Sequence, residues 1–298
     1  MGNEKSCCGA LNPDSRTSLY CLLGNPVKES LSPLMYNAAF SDTGFNGCYL
    51  SFEVEPSFLE EAIKGLRACV FGGCNVTIPF KKDIIPYIDH LSEEAKLIQS
   101  VNTVVNREGA LCGYTTDGEG FCRFLAENHI SPLKKEVLIL GAGGAAVAVS
   151  YSLAKAGASS VTVANRTLDR AIELVRLIES NSGVSFAKAV SLDPDPLNDA
   201  LRTAHIVVNC LPFDLPALLE LSNKGFKGLS RSFSNDGVVF ADIRYNPEET
   251  ELMAAFRRNG ASAFNGREML LWQAVLAFEI FTGGEKAPVH VMKKAINI

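Results

Sequence analysis

Apolar runs punctuated by glycine and proline lay out the first third of the chain. Leu19-Tyr20-Cys21-Leu22-Leu23-Gly24 is a short apolar run closed by Asn25-Pro26, the pattern of a buried strand. Ser32-Pro33 opens a helix through Phe40, with Pro33 at the tolerated first turn. Gly47 to Val54 reads as a second strand, and Ser57 to Ala68 as a helix with Phe58, Ala62 and Leu66 on one face. Val70 to Ile78 makes a third strand. Ile84 to Leu91 and Ser92 to Ile98 read as helical pieces. Thr103 to Asn106 is a strand that turns at Arg107-Glu108-Gly109 into a short return strand. Strands alternating with helices predict a mostly parallel sheet.

The alternation restarts after Pro132. Glu136 to Leu140 is a strand that runs directly into Gly141-Ala142-Gly143-Gly144-Ala145-Ala146, and a helix follows from Ala145 to Ala156. Ser160 to Ala164, Ile206 to Asn209 and Val238 to Asp242 are further strands, and Arg267 to Thr282 is a long apolar helix. There is no internal repeat and no low-complexity tract. The pattern predicts an α/β protein of two domains.

Composition narrows the classes. The 298 residues, 47% hydrophobic and 20% charged, are those of a globular protein with a core. A net charge of −5 without a basic stripe argues against nucleic acid as the main partner. No apolar run reaches membrane-spanning length, so no membrane partner is expected, and the start lacks the layout of a secretory signal. The nine cysteines are scattered, Cys69 and Cys74 are too far apart for a CxxC motif, and no histidine-rich pattern accompanies them. They read mostly as buried thiols of a reducing, cytoplasmic setting, and no metal is expected. Met1-Gly2-Asn3-Glu4-Lys5-Ser6 satisfies the loose myristoylation pattern, with Cys7 and Cys8 as palmitoyl positions. A flexible leader over 1–18 explains the same residues and is the preferred reading.

Two segments carry candidate chemistry. In Asn75-Val76-Thr77-Ile78-Pro79-Phe80-Lys81, Pro79 ends the strand and Asn75 and Thr77 share a face. An amide, a hydroxyl and the Lys81 ammonium at a strand terminus suit a small molecule rich in hydroxyls. An ordinary strand-to-helix turn with a solvated lysine fits the same residues. The second segment is more specific. Gly141, Gly143 and Ala146 fill the G-x-G-x-x-G/A template between a strand and a helix, which places Ala142, Gly144 and Ala145 in the same phosphate cradle. An NAD site would carry Asp or Glu at the end of the next strand. This chain has Asn165-Arg166-Thr167 there, with Arg170 one helical turn later, a guanidinium and hydroxyl set suited to a 2′-phosphate. The expected cofactor is NADP in preference to NAD.

With these residues in hand, the chain resembles the shikimate dehydrogenases from Leu19 to the last helix. Ser30-Leu31-Ser32-Pro33 resembles the family's Ser-x-Ser-Pro element, whose hydroxyls hold the substrate carboxylate. Asn75 to Lys81 resembles N-V-T-x-P-x-K, Val101-Asn102-Thr103 its V-N-T, and Thr116-Asp117-Gly118 the end of its G-x-N-T-D-G. Gly141 to Ala146 with Asn165-Arg166-Thr167 is similar to its cofactor signature. Tyr245-Asn246-Pro247 and Met269-Leu270-Leu271-Trp272-Gln273 match its C-terminal elements.

The resemblance implies a substrate domain over 19–118 and 268–298, a Rossmann-like NADP-binding domain over 119–267, and C-terminal helices that return to the substrate domain. It implies reversible reduction of 3-dehydroshikimate by NADPH, in aromatic amino acid biosynthesis, by a monomer or homodimer. Lys81 would donate the proton and Asp117 would pair with it. Asn102 and Thr77 would bind ring hydroxyls, and Gln273 and Tyr245 would complete the pocket.

The chain departs from the family pattern at three places. Thr115 stands where Asn is usual, and Arg267-Glu268 follows Gly266. The family's N-A-T-P-x-G-M loop appears as Asn209-Cys210-Leu211-Pro212-Phe213-Asp214-Leu215, without the Thr hydroxyl and the Gly. These departures cluster around the nicotinamide end. Leu31 and the Met269 to Gln273 run also resemble the quinate/shikimate branch, whereas Thr77 and Asn165-Arg166-Thr167 favour shikimate and NADP. Aminoshikimate is a further alternative. A binding or regulatory protein without turnover is the alternative of another class, and loss of Lys81 or Asp117 would have favoured it.

Overall fold

A computed structural model describes residues 13–184, 186–223 and 237–298. Gly2, Cys7 and Cys8, the residues of the loose acylation pattern, and most of the expected leader lie outside the described residues. The chain divides into two compact units, Met1–Thr116 with Leu271–Ile298, and Asp117–Leu270. Among the described residues no helix is long and apolar enough to cross a membrane.

The first unit opens with β1 (Ser18–Gly24), whose side chains from Tyr20 to Leu23 are all buried. That continuous apolar run is what a strand flanked on both sides requires. Helix α1 (Ser32–Thr43) ends at Gly44, which takes the left-handed conformation that glycine adopts freely. After β2 (Gly47–Glu53), residues Pro56–Phe58 form a 3₁₀ turn and α2 (Leu59–Ala68) follows. The turn shifts the helical phase by one residue relative to the expected face. Leu59, Ile63 and Leu66 are buried, and Phe58 is 60% exposed.

Strand β3 (Gly73–Val76) is shorter than the expected Val70 to Ile78. Val70 has a left-handed backbone (φ 53) and is 74% exposed, so the ladder starts beyond it. The expected helix over Ile84 to Leu91 is instead a 3₁₀ turn, Ile85–Tyr87, and a short strand, β4 (His90–Leu91). Pro86 lacks a helical donor. Asp89 draws the segment sideways, accepting from the Leu111 N–H (2.7 Å) and pairing with Arg67 (2.9 Å). Helix α3 (Glu93–Ile98) is capped by Ser92, whose hydroxyl accepts from the Ala95 N–H. β5 (Thr103–Arg107) and β6 (Ala110–Tyr114) form the expected hairpin.

The sheet order is β2-β1-β3-β5-β6-β4, and β5 alone runs against its neighbours. One face buries Leu23, Val76, Phe80, Ile84 and Val104 against Leu59, Ile63 and Leu66 of α2.

The second unit contains α4 (Asp117–Glu127), β7 (Glu136–Leu140), α5 (Gly144–Lys155), β8 (Ser160–Ala164), α6 (Leu168–Asn181) and β9 (Ala187–Val190). It continues with α7 (Pro194–Leu201), β10 (Ile206–Asn209), α8 (Pro216–Asn223), β11 (Val239–Asp242), α9 (Glu251–Arg258) and β12 (Ser262–Phe264). All pairings in the sheet β12-β11-β10-β7-β8-β9 are parallel. Chain order reverses between β7 and β10, which makes that junction the switch point of a doubly wound sheet.

The chain then returns to the first unit through α10 (Arg267–Phe281) and α11 (Val289–Ala295). On the sheet face opposite α2, the Phe281 ring lies 4.9 Å from Tyr20 and the Phe278 ring 5.7 Å from Phe40. Tyr36 stacks on Tyr49 at 4.3 Å.

Candidate active site

The antiparallel register sets Asn75 of β3 opposite Thr103 of β5, and a buried polar network grows from that pairing. The Asn75 amide donates to the Asn102 carbonyl (3.2 Å) and to Thr103 Oγ1 (3.1 Å), and its Oδ1 accepts from the Tyr49 hydroxyl (2.8 Å). Burial, with Tyr36, Cys21 and Cys74 alongside, pushes the Tyr49 phenol well above its ordinary range, so it stays a neutral donor. The Ser32 hydroxyl acts in the opposite sense on that phenol. Ser32 is buried and Ser30 half-buried, and Ser30 Oγ accepts from the Ser32 N–H at 3.3 Å.

Asn102 extends the network. Its Nδ2 donates to Thr116 Oγ1 (2.8 Å) and to Gln273 Oε1 (3.3 Å), while its Oδ1 accepts from the Thr116 N–H (2.9 Å) and Thr103 Oγ1 (3.0 Å). Gln273 on α10 is therefore anchored by polar partners rather than by apolar packing alone. Thr116 directly precedes Asp117, which is buried at the start of α4.

Thr77 and Lys81 belong to the turn just beyond β3 and are half-buried. The Thr77 N–H donates to the Leu23 carbonyl (2.9 Å), and its carbonyl accepts from Phe80 (2.9 Å). A Cβ at Gly24 would collide with the Thr77 side chain, so glycine at that position lets the two segments close. The Lys81 carbonyl accepts from the Val101 N–H at 2.8 Å. That bond brings the two polar segments, 75–81 and 101–103, onto one loop cluster.

In the second unit the glycine turn leaves β7 with Gly141 at φ 105, a conformation other residues rarely adopt, and its N–H bonds the Ala164 carbonyl at 2.8 Å. Gly143 has a different reason for being glycine. Its backbone (φ −86, ψ −179) suits any residue, and a Cβ there would meet no protein atom within 4 Å. The space over Gly143 is open to a ligand. Gly143 caps α5 without a side chain, so the first N–H groups of this 12-residue helix are left for an anion. Ala146 is fully buried, where the helix packs on the sheet.

At the end of β8, the Asn165 amide donates to the Thr167 carbonyl (2.8 Å) and shapes the turn into α6. Thr167 occupies the N-cap position, yet its hydroxyl makes no capping bond. Arg166 and Arg170 are exposed and form no ion pair among the described residues. These groups fit a phosphorylated ribose. Tyr245 is half-buried, three residues beyond β11.

Sequence reasoning missed several polar residues. Tyr49, Thr103 and Thr116 complete the first network, but isolated Tyr and Thr in a strand or loop carry no local signal. Asp214, Asp242 and Arg244 form a second cluster, described below, whose only trace in the sequence was the unusual Asn209–Leu215 loop. Tyr36 Oη, Ser100 Oγ and Thr115 Oγ1 are buried without a hydrogen-bond partner.

The two units thus hold a polar, hydroxyl-rich cluster and a dinucleotide cradle, the parts of a dehydrogenase. Comparison with known proteins is specific. Residues 22–104 match the shikimate dehydrogenase substrate binding domain, 124–243 the shikimate / quinate 5-dehydrogenase model and 266–296 the shikimate 5′-dehydrogenase C-terminal domain. The NADP(+) shikimate dehydrogenase of Carboxydothermus hydrogenoformans is 43% identical over 286 residues, 96% of this chain and 98% of its own. A shikimate dehydrogenase solved in complex with NADP+ is 34% identical with a TM-score of 0.80, over 97% of this chain and 98% of its own. The Listeria monocytogenes shikimate 5-dehydrogenase, solved with shikimate and NAD, is 33% identical with a TM-score of 0.80, over 95% and 98%. The chain belongs to the shikimate dehydrogenase family.

Proposed function

We propose that this chain catalyses the reversible, NADPH-dependent reduction of 3-dehydroshikimate to shikimate, a step of aromatic amino acid biosynthesis. The first unit takes the substrate and the second the dinucleotide. The observation that carries the reading is the joining of the 75–81 and 101–103 segments around Asn102, beside the anchored Gln273. A hydroxyl-rich acid needs donors and acceptors held in one geometry, and this network holds them.

Each proposed site residue has a chemical task. Ser30 and Ser32 bind the carboxylate through their hydroxyls. Thr77, Asn102 and Gln273 bind ring hydroxyls, and Tyr245 completes the pocket. Asn75 positions its neighbours through its bonds to Tyr49, Thr103 and the Asn102 backbone. The cofactor supplies a hydride to the carbonyl carbon. Lys81 gives its proton to the carbonyl oxygen, which becomes the hydroxyl, and recovers a proton from solvent afterwards. In the reverse direction the Lys81 amine accepts the hydroxyl proton. Asp117 is the carboxylate assigned to orient the Lys81 ammonium.

Gly141, Ala142, Gly143, Gly144 and Ala145 hold the pyrophosphate at the start of α5. Asn165, Arg166, Thr167 and Arg170 hold the 2′-phosphate, for which exposed guanidinium groups and a non-capping hydroxyl are suited. The enzyme works in the cytoplasm, as a monomer or homodimer, without nucleic acid. Absorbance of NADPH formed from shikimate and NADP by the purified chain tests this, alongside quinate with NAD and with NADP. Turnover of shikimate with NADP supports the reading. Faster turnover of quinate, or no absorbance change with any pair, overturns it.

A further inference from the structure

The sheet of the second unit determines where the two halves of a dinucleotide fall. The turn after β7 would hold the pyrophosphate, and Arg166 and Arg170 beyond β8 would hold the 2′-phosphate ribose. The nicotinamide half therefore runs over the carboxyl ends of β10 and β11. Those ends carry an ionic cluster. Arg244 Nη2 donates to Asp242 Oδ2 (2.6 Å) and to Asp214 Oδ1 (2.7 Å), and Nε donates to Asp242 Oδ1 (3.0 Å). The Asp242 side chain is 0% exposed, Arg244 17% and Asp214 23%. Asp242 Oδ2 also accepts from Asn209 Nδ2 and Thr250 Oγ1, both at 3.1 Å. Asp214 Oδ1 accepts in addition from the Leu252 N–H at 3.3 Å, in the first turn of α9.

The 210–215 loop is thus held at both ends. At its start the Cys210 N–H donates to the Leu140 carbonyl (2.9 Å), and Cys210 and Leu211 stand where a Cβ on Gly141 would meet them at 3.3–3.4 Å. At its far end Asp214 ties it to Arg244 and α9. We propose that Asp214 and Arg244 are positioning residues for the nicotinamide half, holding the loop in its binding shape before the cofactor arrives. This rests on the NADP reading above. A loop already ordered loses little conformational freedom on binding, and releasing it returns that cost to the binding step.

The test is titration of the purified full chain with two probes, NADPH and adenosine 2′,5′-bisphosphate, which lacks the nicotinamide half. Asp214→Ala leaves Arg244 paired with Asp242, so no guanidinium is stranded. It is expected to weaken NADPH by about tenfold while changing the bisphosphate by less than about twofold, and Asp214→Glu is expected to recover most of the loss. Unchanged NADPH affinity, or equal weakening of both probes, overturns the proposal. Failure of the unsubstituted chain to bind either probe overturns the cofactor reading and this proposal with it.

Discussion

Gly143→Ala separates a glycine required by the protein from one required by a ligand. The backbone at Gly143 is extended, and a Cβ meets no protein atom within 4 Å, so a methyl group costs the folded chain nothing in clashes. The helix start loses slightly, because alanine is a poorer N-cap than glycine, by about 1 kcal/mol or less. Binding responds differently. The methyl group occupies the space through which a pyrophosphate reaches the α5 N–H groups. Loss of one or two charge-assisted hydrogen bonds removes about 2–3 kcal/mol, or about 30- to 160-fold in affinity. NADPH titration and urea unfolding of one preparation measure both quantities. Retained NADPH affinity would refute the open-space argument, and so would a stability loss beyond about 2 kcal/mol. Gly141→Ala is the counterpart. Its φ of 105 and the 3.3 Å approach to Leu211 predict a cost of about 1–3 kcal/mol in stability.

The remaining predictions concern the proposed chemistry and the buried phenols. Arg166→Ala and Arg170→Ala, exposed and without ion-pair partners among the described residues, should leave the urea midpoint unchanged. Each should lower kcat/KM with NADP by about 5- to 30-fold while sparing NAD, and equal losses with both cofactors would sink the 2′-phosphate assignment. Lys81→Ala should lower kcat by about 10²- to 10⁴-fold with KM for shikimate changed only a few-fold, and an unchanged kcat would remove Lys81 from the mechanism.

Burial pushes the Tyr20 phenol up to about 12 and raises Tyr36 and Tyr49 as well. The folded chain holds these protons more tightly than the unfolded chain. Their stabilisation is therefore complete below about pH 10 and lost as pH rises from about 10 to about 12 and beyond. The urea midpoint should be lower at about pH 11 than at about pH 9, with tyrosinate absorbance rising on unfolding at the higher pH, and a flat profile would contradict it.

Local patterns carried much of the fold because the physics there is local. The β1 run and the β7 strand with its glycine turn are continuous apolar or glycine-rich segments, and each folds as the pattern implies. The misread elements depart for different reasons, one local and one distant. Val70 leaves the ladder through its own left-handed backbone, whereas the Ile84 to Leu91 segment becomes a 3₁₀ turn and a two-residue strand because Asp89 pairs with Arg67 and Leu111. Strands β9 and β12, with four and three residues, are too short to announce themselves. The site shows the same division. Asn75, Asn102 and Gln273 stood in recognisable motifs, but the hydroxyls that lock them, from Tyr49, Thr103 and Thr116, become visible only once the strands are paired. Asp214 registered as a departure from a pattern, and its purpose required Arg244, 30 residues away.

The first unit is closed by a segment that follows the whole second unit in the chain, and this matters during synthesis. A ribosome delivers 13–116 first, yet Tyr20 and Phe40 await the rings of Phe281 and Phe278. Residues 117–270 form an uninterrupted unit and can fold as they emerge, while the earlier segment keeps an aromatic face uncovered until residues 271–298 have been made. A nascent chain halted before Leu271 would therefore expose that face to chaperones. A circular permutant that places 271–298 ahead of residue 13 would let the first unit close before the second is made.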